Sequence, residues 1–297
     1  MKVLIPTTFT PAMLIASNTV EAYPPWAIGT TYAKDDRVDY GIDIYQSLVN
    51  SNTGNQPDTS PLSWVLVGPD NKHAMFDNEI ATVTTSPAPL IVTVATGAID
   101  SVYLGNLSGA RVSITVRDGS GGTVVYQSTQ SLAGDEVADW YQYFFFDPLT
   151  QRTQAFFQGI PLVLNSYLTI ELEGSGTVSI GTVSFGRLRT LGTVGMGAQA
   201  GIRDYSRKET DEFGVTTFVQ RAFSKRLSAQ FAVDRAQLNR VQRQLYDLRA
   251  TPVVWIGADD APEYEEALTI FGFYRDFTTA IDYPTYSLCN IEIEGLI

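Results

Sequence analysis

Residues 111–127 read RVSITVRDGSGGTVVYQ, and this stretch decides the fold class. Val112, Ile114 and Val116 alternate strictly with Arg111, Ser113 and Thr115. A period of two puts the apolar side chains on one face of an extended chain, the pattern of a half-buried strand. A helix would need them three and four residues apart. Asp118-Gly119-Ser120-Gly121-Gly122 follows and supplies the positive φ angles that a hairpin loop needs. Thr123–Gln127 returns as the second strand.

Working outward, the same signal recurs between Lys72 and Leu191. Strands are expected at Ala88–Val94, Ser101–Leu104, Arg111–Val116, Thr123–Gln127, Trp140–Phe146, Tyr167–Leu172 and Thr177–Phe185. Leu168, Ile170 and Leu172 alternate with Thr169 and Glu171. Short strands at this spacing, separated by turn residues, predict a jelly-roll-like β-sandwich over 72–191. Trp140-Tyr141-Gln142-Tyr143-Phe144-Phe145-Phe146 has rings on both faces, as a central strand or a strand at a subunit interface would.

Beyond Leu191 the pattern changes. Gly192, Gly195, Gly197 and Gly201 read as a flexible linker or an arm. Strands are expected at Thr216–Arg221, Leu227–Val233, Val253–Ile256, Thr269–Phe277 and Tyr286–Glu294. Leu238, Val241, Leu245 and Leu248 fall at helical spacing, predicting a helix over 235–249 that Pro252 cannot extend. Asp234 with Gln237 three residues on suggests a capping box. Residues 192–297 thus read as an α+β or barrel domain with one covering helix. The whole chain is expected to be mainly β.

Composition narrows the function classes. The 297 residues carry a net charge of −12, which argues against a nucleic-acid binder or an anionic-membrane binder. No apolar run approaches the ~20 residues of a membrane helix, so no membrane insertion is expected. The N-terminal stretch MKVLIPTTFTPAMLIASNT is broken by Pro6 and Pro11, and reads as a mature strand and arm rather than a leader. The single cysteine, Cys289, allows no intramolecular disulfide and reads as a small buried hydrophobe.

Residues 1–71 hold a strand-like lead-in and then a compact aromatic module. Pro24 to Gly68 contains Trp26, Tyr32, Tyr40, Tyr45 and Trp64, punctuated by Gly29, Gly41, Gly54 and Pro57. Arg37–Tyr40, Ile44–Leu48 and Trp64–Val67 are expected strands, with Tyr40-Gly41-Ile42-Asp43 as a turn. So small a module must lean on aromatic area for its core. On these residues it resembles the chitin-binding type 3 (family 5/12) carbohydrate-binding modules, over about a sixth of the chain. That group stacks exposed rings on sugar faces, which assigns carbohydrate binding to Tyr23, Trp26, Tyr32, Tyr40 and Trp64. The competing assignment makes Trp26, Tyr45 and Trp64 the module's own core and leaves Tyr23 and Tyr32 as surface rings. The tandem aromatic pair that follows the second-strand tyrosine in the group is absent here: Tyr45 precedes Gln46-Ser47-Leu48.

The last segment carries a second resemblance. A glycine-rich lead, Asp204-Tyr205-Ser206, Phe218-Val219-Gln220-Arg221 and the ending Ile291-Glu292-Ile293-Glu294-Gly295-Leu296 resemble tail and baseplate proteins of tailed bacteriophages, distal tail proteins among them. The resemblance implies a virion protein made in the bacterial cytoplasm. Its expected partners are other tail or baseplate proteins, further copies of itself in a ring or trimer, and cell-surface polysaccharide.

Catalytic signatures are sparse. His73, the only histidine, sits in the linker-like PDNKHAM stretch without a GxSxG partner, and one His and one Cys cannot build a zinc site. Two acidic clusters, Asp135/Glu136/Asp139 and Asp259/Asp260/Glu263/Glu265/Glu266, invite a glycosidase reading, but they read first as solvated loops. The expectation is a structural, non-enzymatic protein without cofactor or metal. The alternatives are a stand-alone carbohydrate-binding protein and a polysaccharide depolymerase.

Overall fold

The computed structural model describes residues 1–133, 151–195, 197–210, 212–257, 265–281 and 283–296. The expected strand Trp140–Phe146 and the acids Asp135, Glu136, Asp139, Asp259, Asp260 and Glu263 lie outside these residues. The protein is mainly β, and the chain forms two compact units, each assembled from separate segments. One holds residues 8–99 and 104–183, the other residues 1–7, 100–103 and 184–297.

In the first unit, a five-stranded antiparallel sheet runs in the order Val124–Ser131, Arg111–Asp118, Ser166–Glu173, Leu90–Ala95, Leu14–Ser17. Register explains its core. Ile114 lies opposite Ile170, which lies opposite Val92; Val112–Leu172–Leu90 and Val116–Leu168–Val94 form parallel rows. All nine side chains are fully buried. Their neighbours along each strand turn the other way, and Thr93 and Thr169 join hydroxyls across the polar face at 3.0 Å. A one-residue slip would exchange these faces, so the alternation fixes the register. A second layer includes Thr84–Pro87 paired with Thr177–Ile180, and the strand Gln154–Gln158, whose Phe156 and Phe157 are buried. This is a β-sandwich. Gln154–Gln158 carries no clean alternation, and sequence pattern alone does not show it.

In the second unit, Lys2–Pro6 pairs with residues 186–190 on one side and with Val253–Ile256 on the other. The order continues antiparallel through Thr269–Ala280, Tyr286–Gly295 and Phe223–Asp234. The lead-in strand is thus a central strand of the C-terminal unit's sheet. Gly186 lets it in: a Cβ there would stand 2.0 Å from the Ile5 carbonyl oxygen. The helix Leu238–Asp247 covers this sheet. Leu238, Val241, Leu245 and Leu248 pack into a cluster with Met1, Val3, Phe231, Trp255, Cys289 and Ile291, so Cys289 is the buried hydrophobe expected.

Two local expectations change. The capping box does not form, because Gln237 occupies the cap position without a side-chain bond while Asp234 ends the strand Phe223–Asp234. The glycine-rich stretch after Leu191 is not a bare linker. It holds the edge strands Thr193–Val194 and Gln199–Asp204, both paired with Phe223–Asp234. A short second helix, Glu265–Leu268, had no sequence signal.

Candidate functional site

The aromatic module folds as three antiparallel strands, Arg37–Tyr40, Asp43–Ser47 and Trp64–Pro69, beside a two-stranded pair, Thr31–Tyr32 with Asn52–Thr53. Gly41 takes the positive φ of 76° that the turn requires. The core is small: Tyr32, Val38 and Trp64 are buried, with Trp26 and Tyr45 packed against them. Trp64 donates its indole N–H to the Asn55 carbonyl at 2.9 Å, and the Tyr32 hydroxyl accepts from the Ala27 amide at 2.8 Å.

This arrangement settles where the five candidate rings lie. Tyr32 is only 6% exposed and Trp64 only 2%, so both are core rings. Tyr32 is therefore not a surface ring: its neighbour Trp64 meets it edge-on at 5.2 Å. Trp26 and Tyr40, both half-buried, meet edge-to-face at 5.5 Å, and Tyr40 meets Tyr45 the same way at 6.4 Å. Tyr23 lies under the Arg37 guanidinium at 5.7 Å and accepts its hydrogen bond at 3.1 Å. Edge-to-face pairs stabilise a core but do not present the coplanar faces that a sugar stacks on. What the module does expose is aliphatic: Leu62, Val65, Leu66 and Val67, the last three on Trp64–Pro69, the sheet's terminal strand.

At the foot of the module lies a polar knot. Asp70 is fully buried and accepts from the His73 amide at 2.9 Å and the His73 ring at 2.7 Å. Its second oxygen meets the Lys72 ammonium at 3.3 Å, an ion pair without hydrogen-bond alignment. Glu21 accepts from the Asn71 amide at 2.8 Å, and Asn71 donates its side chain to the carbonyls of Val20 and Thr85, each at 2.9 Å. The knot therefore ties together the chain entering the module and the chain leaving it. His73 is not in a linker: it is buried and precedes the 3-10 turn Ala74–Phe76. Glu21, Asp39 and Asp70 bring one carboxylate oxygen each within 4.8 Å of one another. Burial, and next the charge of Asp70, push the Asp39 carboxyl above its ordinary range. Lys72 rises too: burial opposes its charge, but the Asp70 carboxylate and its neighbours outweigh that. Lys72 is thus the counter-ion of the cluster. No motif marks these residues, because they converge from points some fifty residues apart in sequence.

The third feature is a ribbon. Gln199–Asp204 pairs with Phe223–Ser228, and beyond it Arg207–Thr210 pairs with Thr216–Val219. Every residue of Gln199–Asp204, Arg207–Thr210 and Thr216–Val219 is exposed. Near its tip Phe213 is 90% exposed, Phe218 is 72%, and Ile202, Val215, Val219 and Phe223 are exposed as well. The root is held: Arg203 and the Tyr205 hydroxyl both engage Glu294, at 3.2 and 3.0 Å. A shallow groove of about 330 Å³ beside the root is lined by Ile202, Arg226, Arg275, Glu292 and Glu294. Of this hairpin the sequence predicts only the strand Thr216–Arg221, and neither its partner strand nor its exposure.

No family model matches this chain, and no curated protein or solved structure matches it either. Of the second acidic cluster, Glu266 is described, and its backbone carbonyl accepts from Lys225 at 3.3 Å.

Proposed function

We propose that the chain is a structural, non-catalytic component of a bacteriophage tail tip or baseplate. It would attach to neighbouring tail proteins and to copies of itself. The ribbon carries this reading. A two-stranded ribbon gains little from its own packing, and large apolar side chains held in water on a lone hairpin mark a surface built to be covered. Rigid β-layers with a protruding arm suit a subunit that is fixed into an assembly. The resemblance of the C-terminal segment to tail proteins supports the same direction. The module's rings, spent on one another, favour a spacer or docking module; contact with host glycans would fall to the half-buried Tyr23, Trp26 and Tyr40.

Antibody labelling of virions, viewed by negative-stain microscopy, tests the proposal. Label at one end of the tail is expected, and unlabelled tails would overturn it. A glycan array probed with the full chain tests the sugar contact separately.

A further inference from the structure

We infer that a groove beside the start of the helix Leu238–Asp247 binds an acidic saccharide, one whose sugars carry carboxylates. The groove lies wholly within the second unit and measures about 440 Å³, inside the ~300–1,000 Å³ range of small-ligand sites. Thr190, Thr193, Asp234, Gln237, Arg240 and Tyr286 line it. Local structure brings them together. Asp234 is paired with Tyr286 across the ladder, and Thr193 with Ala232 of the same strand as Asp234. Gln237 and Arg240 follow three residues apart, a spacing that sets them on one side of the helix. The side chains of Asp234, Gln237 and Arg240 make no hydrogen bond or ion pair among the described residues. The fold thus leaves a carboxylate, an amide and a guanidinium open beside an aromatic ring.

The rings, the polar groups and the charge together select the ligand. Tyr283 stacks on Tyr286 with centroids 4.5 Å apart and planes within 15°, and Tyr283 is 45% exposed. A parallel pair covers one face of each ring and leaves the other, whereas the module's rings meet edge-on. Flat faces of this kind pack against the C–H face of a sugar. Sugar hydroxyls both donate and accept, and Asp234, Gln237 and the two threonines offer both roles. Residues 235–249 carry Arg235, Arg240, Arg243 and Arg249 against Asp247 alone, a net charge of +3, which leaves −15 for the rest of a chain whose total is −12. All four arginines are exposed, and none is in an ion pair among the described residues. Charge beyond about 8 Å is screened at physiological salt, so these local cations set the field at the groove. A guanidinium fork matches a carboxylate. Asp234 in the groove and the acidic remainder of the chain disfavour a dense polyanion such as nucleic acid. They tolerate a saccharide whose carboxylates are spaced apart.

The test probes the full chain on an array of neutral, uronic-acid-bearing and sialic-acid-bearing glycans. Binding confined to the carboxylated glycans is expected, lost when their carboxyls are methyl-esterified. Calorimetry with the best-bound glycan should show binding about tenfold or more weaker in Arg240→Gln and in Tyr283→Ala. Both positions are exposed, so the melting curve should not move. Tyr40→Ala, in the aromatic module, should bind as the wild type does. An array silent for carboxylated glycans overturns the inference, and so do methyl esters that bind as well as the acids. Loss of binding in Tyr40→Ala with none in Arg240→Gln places the contact on the module and overturns it too. Polyphosphate or single-stranded DNA bound as tightly as the glycan reveals only a basic patch, with the same consequence. The inference does not depend on the virion reading. A labelled tail whose chain binds no glycan ends this inference alone, and glycan binding by a chain absent from tails ends only the virion reading.

Discussion

Replacing Trp64 with alanine should unfold the aromatic module while the rest of the chain stays native. Trp64 is 2% exposed, in a core with only two other buried apolar residues, Tyr32 and Val38. Deleting a buried tryptophan side chain removes about 3–5 kcal/mol. That figure includes the edge-to-face pair with Tyr32 and leaves the Asn55 carbonyl without its indole donor. Against this, the 45 residues of Pro24–Gly68 should have a stability of their own of about 2–7 kcal/mol, at the usual 0.05–0.15 per residue. The loss is as large as the reserve. Trp64→Phe keeps most of the ring and loses the hydrogen bond, at about 1–2 kcal/mol, so it should leave the module folded. Hydrogen exchange of the full chain reads the difference. In Trp64→Ala the amides of Asp39 and Ser47, bonded to Pro24 and Asp36, should exchange freely. Amides of the row Val112–Val116 should stay protected in both variants. Native protection of Asp39 and Ser47 in Trp64→Ala would refute the view that these three residues hold the module.

Other perturbations address the remaining parts. Gly186→Ala would drive a Cβ into the Ile5 carbonyl and displace a central strand, so it should destabilise the chain by about 1–3 kcal/mol or more, read by thermal melting. Leu245→Ala opens a cavity under the helix and should cost about 2–5 kcal/mol by urea unfolding. Asp70→Ala strips the buried His73 and its amide of their acceptor; about 3–5 kcal/mol should be lost, and limited proteolysis should cut near Glu21 and Lys72. Asp39 carries a pKa raised first by burial and then by Asp70, so its ionised form weakens the fold as pH rises past the ordinary carboxylate range. Asp39→Asn should therefore raise the melting temperature near about pH 7 and make no difference near about pH 3, where Asp39 is already protonated. A gain that persists in acid would contradict this.

Strict alternation makes the sheet legible in the sequence. Val112, Ile114, Val116, Leu168, Ile170 and Leu172 were all assigned to one buried face, and register then lined them up in the rows the structure shows. The face of the helix was equally legible, since Leu238, Val241, Leu245 and Leu248 repeat at 3.6-residue spacing. The candidate sites were less so. Tyr32 and Tyr23 have the same chemistry and neighbouring positions, yet one is core and the other lies beneath a guanidinium. Which ring is buried depends on the turn between strands, and composition does not encode that.

Local chemistry by itself determined that this chain is mainly β, where most strands run, which side of each is apolar, and that one amphipathic helix covers the last segment. These follow from period and propensity, which act over a few residues. Tertiary structure alone decided the long-range partners. Lys2–Pro6 sits between strands some 180 and 250 residues away, the knot gathers Glu21, Asp39 and Asp70, and a glycine-rich stretch becomes one side of an exposed ribbon. Such pairings rest on shape and charge meeting across distant segments, and a single linear pattern carries no record of which segments will meet.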